Sequence, residues 1–158
     1  MNTASGEVYI SERIDSSISR SSCSPKSGQP HRMWPGKQIY VVDDDSGFLK
    51  GIERLLCAHG LDVRTFSSAE EFEAKADPAD AACLILDVHL AGISGIELLN
   101  RLNQSEFKIP AVLVTGQDSE VTRLAAVAAG CSAYLEKPFS GRELMDALLE
   151  AVGPDFEI

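Results

Sequence analysis

From Gln38 onward, short apolar runs alternate with stretches whose apolar residues recur at helical spacing. Ile39-Tyr-Val-Val42 is a continuous apolar run that stops at Asp43. Ser46 follows as a candidate helix cap, then Phe48, Leu49, Ile52, Leu55 and Leu56 on one helical face, and Gly60 as the stop. The unit then repeats. Residues 61–66 read as a strand, and Ser68-Ala-Glu-Glu71 has the form of a capping box opening a helix through Ala76. Residues 82–86 predict a third strand, and Ser94-Gly-Ile-Glu97 caps a helix carrying Ile96, Leu99 and Leu102. Residues 110–114 predict a fourth strand, with an alanine-rich helix over residues 119–129. Residues 132–135 make a fifth strand, and Ser140-Gly-Arg-Glu143 caps a last helix with Leu144, Leu148 and Val152 on one face.

Five strands alternate with five helices, which is an α/β pattern. Strands that are apolar at every position are buried on both faces, so the expected sheet is parallel and covered by helices on each side. Right-handed crossovers leave a doubly wound sheet as the natural topology.

Residues 1–37 have a different texture. Nine serines, three prolines and singly scattered apolar residues cannot bury enough surface to offset the entropy of ordering. The expectation is a disordered Ser/Pro-rich arm over 1–37, with Tyr9-Ile10 and Met33-Trp34 as its only anchors, followed by a folded domain over 38–158. The arm and the sheet domain use up the chain, which reads as a stand-alone unit.

Charge sharpens the division. Acids outnumber bases 24 to 14, for a net charge of −10. The arm carries five bases and three acids, so the remainder carries nine bases and 21 acids. A body that acidic repels a phosphate backbone, and general nucleic-acid binding is not expected. No apolar run approaches the roughly 18 residues of a membrane span, and the first thirty residues lack the apolar segment of a signal peptide. Cys23, Cys57, Cys83 and Cys131 are widely spaced and include no CxxC pair, so neither a disulfide framework nor a zinc site is expected. A reducing, cytoplasmic setting is the simplest inference.

Ligands of an open parallel sheet bind beyond the carboxyl ends of its strands. Asp43, Asp44 and Asp45 follow the first strand, Asp87 the third, Thr115 the fourth and Lys137 the fifth, while the second offers nothing comparable and suits a sheet margin. Crowded carboxylates do not all stay ionised unless a cation joins them, and an all-oxygen, strongly acidic set suits Mg²⁺. Such a site with a spare carboxylate is a setting for phosphoryl transfer, with Lys137 pairing a phosphoryl oxygen and Thr115 donating a hydrogen bond to one.

In these residues the chain resembles the response-regulator receiver domain, the phosphoacceptor module of two-component signalling, over about 38–152. The resemblance rests on Val41-Val-Asp-Asp-Asp45, Leu84-Ile-Leu-Asp-Val-His-Leu90, Gly92-Ile-Ser-Gly95, Val114-Thr-Gly116 and Glu136-Lys-Pro-Phe139, in order and at the right spacing. It implies the flavodoxin-like strand order 2-1-3-4-5. By the same resemblance, Asp87 takes a phosphoryl group from a histidine kinase or histidine phosphotransfer protein. Asp43, Asp44, Asp87 and the backbone carbonyl of His89 hold Mg²⁺, and Thr115 and Lys137 contact the phosphoryl group. It implies a cis Lys137–Pro138 bond and a switch in which Thr115 moves toward the phosphoryl group while Tyr134 turns inward. That switch remodels the face of helix four, strand five and helix five for a downstream protein, and homodimerisation through the helix-four face is also a family trait. The chain departs from the pattern at Ala91, where proline is usual and whose absence loosens the loop, and at Gly116, which leaves the site open; His89 and Gln117 flank the phosphoryl position.

Two other readings compete. A haloacid-dehalogenase-like phosphohydrolase also places aspartates after its first strand, but its DxDx(T/V) motif would need Thr or Val where this chain has Gly47, and no further acidic pair or cap domain follows Lys137. A receiver-shaped scaffold that is never phosphorylated would not require the Asp, Thr and Lys set together. Flavin or dinucleotide binding lacks a GxGxxG after the first strand.

Overall fold

The structure, a computed structural model, describes residues 37–153. The expected arm and its anchors therefore lie outside the described residues, apart from Lys37. Five strands, β1 (Gln38–Val42), β2 (Val63–Phe66), β3 (Ala81–Asp87), β4 (Ala111–Thr115) and β5 (Ala133–Glu136), alternate with five helices, α1 (Ser46–Ala58), α2 (Ala69–Lys75), α3 (Gly95–Asn103), α4 (Glu120–Ala128) and α5 (Gly141–Val152). All strand pairs are parallel and the sheet order is β2-β1-β3-β4-β5. The doubly wound α/β architecture and the strand order are as expected, with β2 at the margin.

The inner strands β1, β3 and β4 owe their continuous apolar runs to burial on both faces, whereas the edge strands β2 and β5 are only partly buried. Ile39, Val41, Cys83, Ile85, Val112 and Val114 point into a layer filled by Leu49, Ile52 and Leu56 of α1 and Leu144, Met145 and Leu148 of α5. Tyr40, Val42, Leu84, Leu86 and Leu113 point the other way, against Phe72 of α2, Leu98 and Leu99 of α3 and Ala126 of α4. Tyr40, Phe66 and Phe72 meet edge to face in that second layer, with centroids 5.2–5.8 Å apart.

The helix starts follow the caps, with one change. Asp45, not Ser46, is the N-cap of α1: its Oδ1 accepts the N–H groups of Gly47 and Phe48. Ser140 and Glu143 form the full reciprocal box at α5. At α2 the box is half made, because Glu71 reaches Ser67 rather than the backbone of Ser68. Residue 61 leaves the predicted second strand for a physical reason. Gly60 takes a left-handed conformation (φ +82°) after α1, and the Leu61 N–H returns to the Leu56 carbonyl, closing the helix end before the strand begins.

Among the described residues no helix is long and apolar enough to cross a membrane. Cys83 and Cys131 are free thiols, and burial pushes Cys83 up to about 12, which leaves it inert. Cys57 is disulfide-bonded, whereas the spacing of the cysteines led to no expectation of a disulfide framework.

Candidate functional site

The carboxyl ends of β1, β3, β4 and β5 bring four of the predicted side chains to one edge. Asp43 ends the first apolar run and is buried at 1% exposure; its Oδ1 accepts the Asp45 N–H at 2.8 Å. Asp87 closes β3 beside Val114 of β4 and is 5% exposed, and Asp44 stands in solvent next to them. Ligand oxygens of Asp43, Asp44 and Asp87 all lie within 4.8 Å of one another. Lys137 comes from the other end of the sheet. Its N–H donates to the Thr115 carbonyl at 2.7 Å, which fixes the backbone next to β4. Its Nζ reaches Asp43 Oδ2 at 2.8 Å and Asp87 Oδ1 at 3.8 Å.

Electrostatics set the chemistry. Desolvation, then the neighbouring Asp43 charge, pushes Asp87 up to about 6, against the pull of Lys137 and of the His89 N–H, which lies 3.4 Å from Asp87 Oδ1. One ammonium is too little for three clustered carboxylates, so the edge holds more negative charge than the protein itself neutralises. Oxygen donors of this charge and number suit a hard divalent cation.

Two connections hold the site's frame. Gly95, at the start of α3, has no room for a side chain: a Cβ there would stand 2.1 Å from the Asp87 carbonyl oxygen, and its N–H donates to the Val88 carbonyl at 2.9 Å. Glu70, reaching across from α2, accepts the Ile93 N–H at 3.4 Å and packs against Gly92. The loop that Ala91 was expected to loosen is therefore tied from another element.

Thr115 is buried, and its Oγ1 accepts the Gln117 N–H at 3.0 Å within its own loop. Lys137–Pro138 is cis, as expected. Tyr134 is half-buried, and its hydroxyl donates to Asp118 at 2.8 Å. Sequence reasoning assigned no site role to Phe48, whose ring lies 4.1 Å beneath Lys137 Nζ and stacks edge-on with Phe139. The signal was present, since Phe48 is the first apolar residue of α1 and falls three residues past the acidic cluster, but a helical apolar face absorbs such a residue without remark. Asp118 and Arg123 were missed because nothing in their local spacing marks them.

Comparison with known proteins agrees with this geometry. Residues 39–149 match the response regulator receiver domain family. Nodulation protein W of Bradyrhizobium diazoefficiens is 33% identical over 117 residues, covering 74% of this chain and 52% of that protein. A CheY-like receiver domain protein from Methanospirillum hungatei superposes with a TM-score of 0.68 at 28% identity, over 73% of this chain and 93% of that one. A response regulator from Burkholderia pseudomallei, solved with a phosphorylated aspartic acid, calcium ion and citrate, gives 0.64 at 29% identity, over 71% of this chain and 66% of that one. The chain spans about half the length of the curated relatives it matches. With a family match over most of its described residues and an acidic edge of the expected composition, the chain belongs to the response regulator receiver domain family.

Proposed function

We propose that the chain is a phosphoacceptor switch of a two-component or phosphorelay system, working in the cytoplasm, with Asp87 as the acceptor. The observation that carries this reading is the convergence of Asp43, Asp44 and Asp87 within 4.8 Å, with Lys137 Nζ between Asp43 and Asp87. Asp43, Asp44, Asp87 and the His89 carbonyl would hold Mg²⁺, which when bound supplies charge neutralisation for the attacking carboxylate and the incoming phosphoryl group.

The residues then divide the work. An Asp87 carboxylate oxygen attacks phosphorus, and the phosphorus–nitrogen bond of a phosphohistidine breaks with its electron pair going to the imidazole. Lys137 shifts from Asp43 to a phosphoryl oxygen, and Thr115 exchanges its bond within the loop for one to another such oxygen. Water later attacks the acyl phosphate and returns the carboxylate. The protein thus catalyses only its own phosphorylation and dephosphorylation. Its partners are a histidine kinase or histidine phosphotransfer protein on the donor side and a protein that reads the α4–β5–α5 face, where homodimerisation also belongs.

The phosphohydrolase reading has a specific difficulty. It needs a second carboxylate two residues after the first as a free acid, and Asp45 is spent as the α1 cap, accepting two backbone N–H groups. The scaffold reading has no use for three converging carboxylates with the Lys137 ammonium set among them.

The test is intact-mass spectrometry after incubation with acetyl phosphate and Mg²⁺. A gain of one phosphoryl group in wild type, lost in Asp87→Asn and with EDTA, is expected. No gain by a folded wild-type protein with magnesium present would overturn transfer from small donors, and a phosphohistidine donor then decides between switch and scaffold.

A further inference from the structure

The side chains around Tyr134 form a unit that phosphoryl transfer itself does not use. Tyr134 Oη donates to Asp118 Oδ1 at 2.8 Å, and Arg123 pairs with the other oxygen of the same carboxylate. The Arg123 guanidinium also lies over the Tyr134 ring, 4.9 Å from its centroid. Three elements therefore meet at one carboxylate: the loop between β4 and α4 through Asp118, the first turns of α4 through Arg123, and β5 through Tyr134.

The loop is tied at both ends. It starts at Thr115, whose hydroxyl accepts the Gln117 N–H, and ends at Ser119, the N-cap of α4, which accepts the Thr122 N–H at 3.1 Å. Lone surface ion pairs contribute little. Here the carboxylate takes charge-assisted bonds on both oxygens, is only 20% exposed, and pairs with a cation that also stacks on the Tyr134 ring. Beyond this, α4 has a tie at its far end, where Asn103 Nδ2 donates to the carbonyl of its C-cap Ala129 at 2.6 Å, and few buried side chains: Ala126 is its one buried residue, while Val121, Leu124 and Val127 are 79%, 62% and 66% exposed.

We propose that Asp118 is the positioning residue that couples Thr115 to Tyr134 and α4. A displacement of residues 115–119 at the phosphoacceptor edge then carries the Tyr134 ring and the face bearing Val121, Leu124 and Val127 with it. This coupling rests on the switch reading above and supplies its physical linkage. Thr115 cannot swing toward Asp87 without straining the Asp118 bonds or dragging their partners, so one local change biases two packings of the same elements.

The test uses the full chain with ¹³C-labelled tyrosine rings and leucine methyls. Tyr134→Phe and Leu124→Ala assign the two signals, and intact mass reads phosphoryl load. In wild type, acetyl phosphate and Mg²⁺ add one phosphoryl group and move both signals. In Asp118→Ala the phosphoryl gain stays, while the population of the shifted α4 state falls on the order of tenfold, equivalent to about 1.4 kcal/mol of coupling. Asp118→Asn keeps an acceptor for Tyr134 Oη but not the charge for Arg123, and falls between. A simple loss of stability would lower the urea midpoint and move neither signal selectively. Wild-type responses in phosphorylated Asp118→Ala overturn the coupling. If wild type itself takes no phosphoryl group, the phosphoacceptor reading fails for small donors and the resting spectra judge the coupling alone. Displacement of the Leu124 signal in Asp118→Ala upholds it, and an unmoved Leu124 signal sinks it.

Discussion

Helices α4 and α5 lie against opposite faces of the sheet at its β5 end, and they are held there by different means. Of the 12 residues of α5, Leu144, Met145, Ala147 and Leu148 are buried against β1, β3 and β4. Of the nine of α4, only Ala126 is, and the large apolar residues Val121, Leu124 and Val127, spaced by three, share the outward face. One helix is fixed by volume and the other rests on a small-residue seam and polar contacts at its two ends. A buried leucine gives its position a steep energetic cost of change; an alanine seam gives a shallow one. The switch proposed above calls for an element of the second kind, set in a frame of the first.

The comparison breaks if α5 proves tolerant. Leu148→Ala leaves a cavity in a fully buried layer and is expected to cost about 2–5 kcal/mol by urea denaturation. At the start of the same helix, Ser140→Ala removes the hydroxyl that accepts the Glu143 N–H, and the expected loss there is about 1 kcal/mol.

Between these in size lies the charged edge, which gives up stability for chemistry. Asp87 is raised to about 6 in the folded chain against about 3.9 when unfolded. The folded state therefore binds more proton between those values, and this contribution to stability falls as pH rises from about 4 through about 6. At pH 7 the penalty is fully present, and Asp87→Asn is expected to be more stable than wild type by about 2–3 kcal/mol without divalent cations. Lowering pH to 5, or adding Mg²⁺ at pH 7, should raise the urea midpoint of wild type and narrow the gap. Parallel pH profiles for the two proteins would show that the carboxylate cluster carries no strain.

Most of this frame was legible in the residues, because burial on both faces forces β-strands to be apolar at every position and the caps use a few oxygen-bearing side chains. The run 39–42 ending at Asp43, and Ser140 with Glu143, are of that kind. Strand ends also carry the site: once the sheet is parallel, Asp43, Asp87, Thr115 and Lys137 must share an edge. What was not legible depends on side-chain reach. Ser46 and Asp45 are both good caps, and only the bonds from Gly47 and Phe48 decide between them. Glu70 meets the loop 23 residues away, and Asp118 meets Tyr134 16 residues away, contacts that no local pattern encodes. The outward face of α4 was hidden by its composition, since an alanine-rich helix with valine and leucine reads as buried until the structure turns the large residues outward.

The smallest expected effect is the sharpest test of the difference between the helices. Leu124 is as apolar as Leu148 but 62% exposed, so Leu124→Ala removes little buried area and places a better helix former at a solvent position. Its stability should stay within about 0.5 kcal/mol of wild type, and phosphorylation at Asp87 should persist, because nothing in the site touches it. Association of the phosphorylated chain, read by sedimentation velocity, is where the substitution should tell, since three apolar side chains on one exposed face have their apolar area still to bury. A loss of 2 kcal/mol or more in urea would mean that α4 is packed as α5 is. The face would then be core, and the coupling through Asp118 would have no loosely held helix to move.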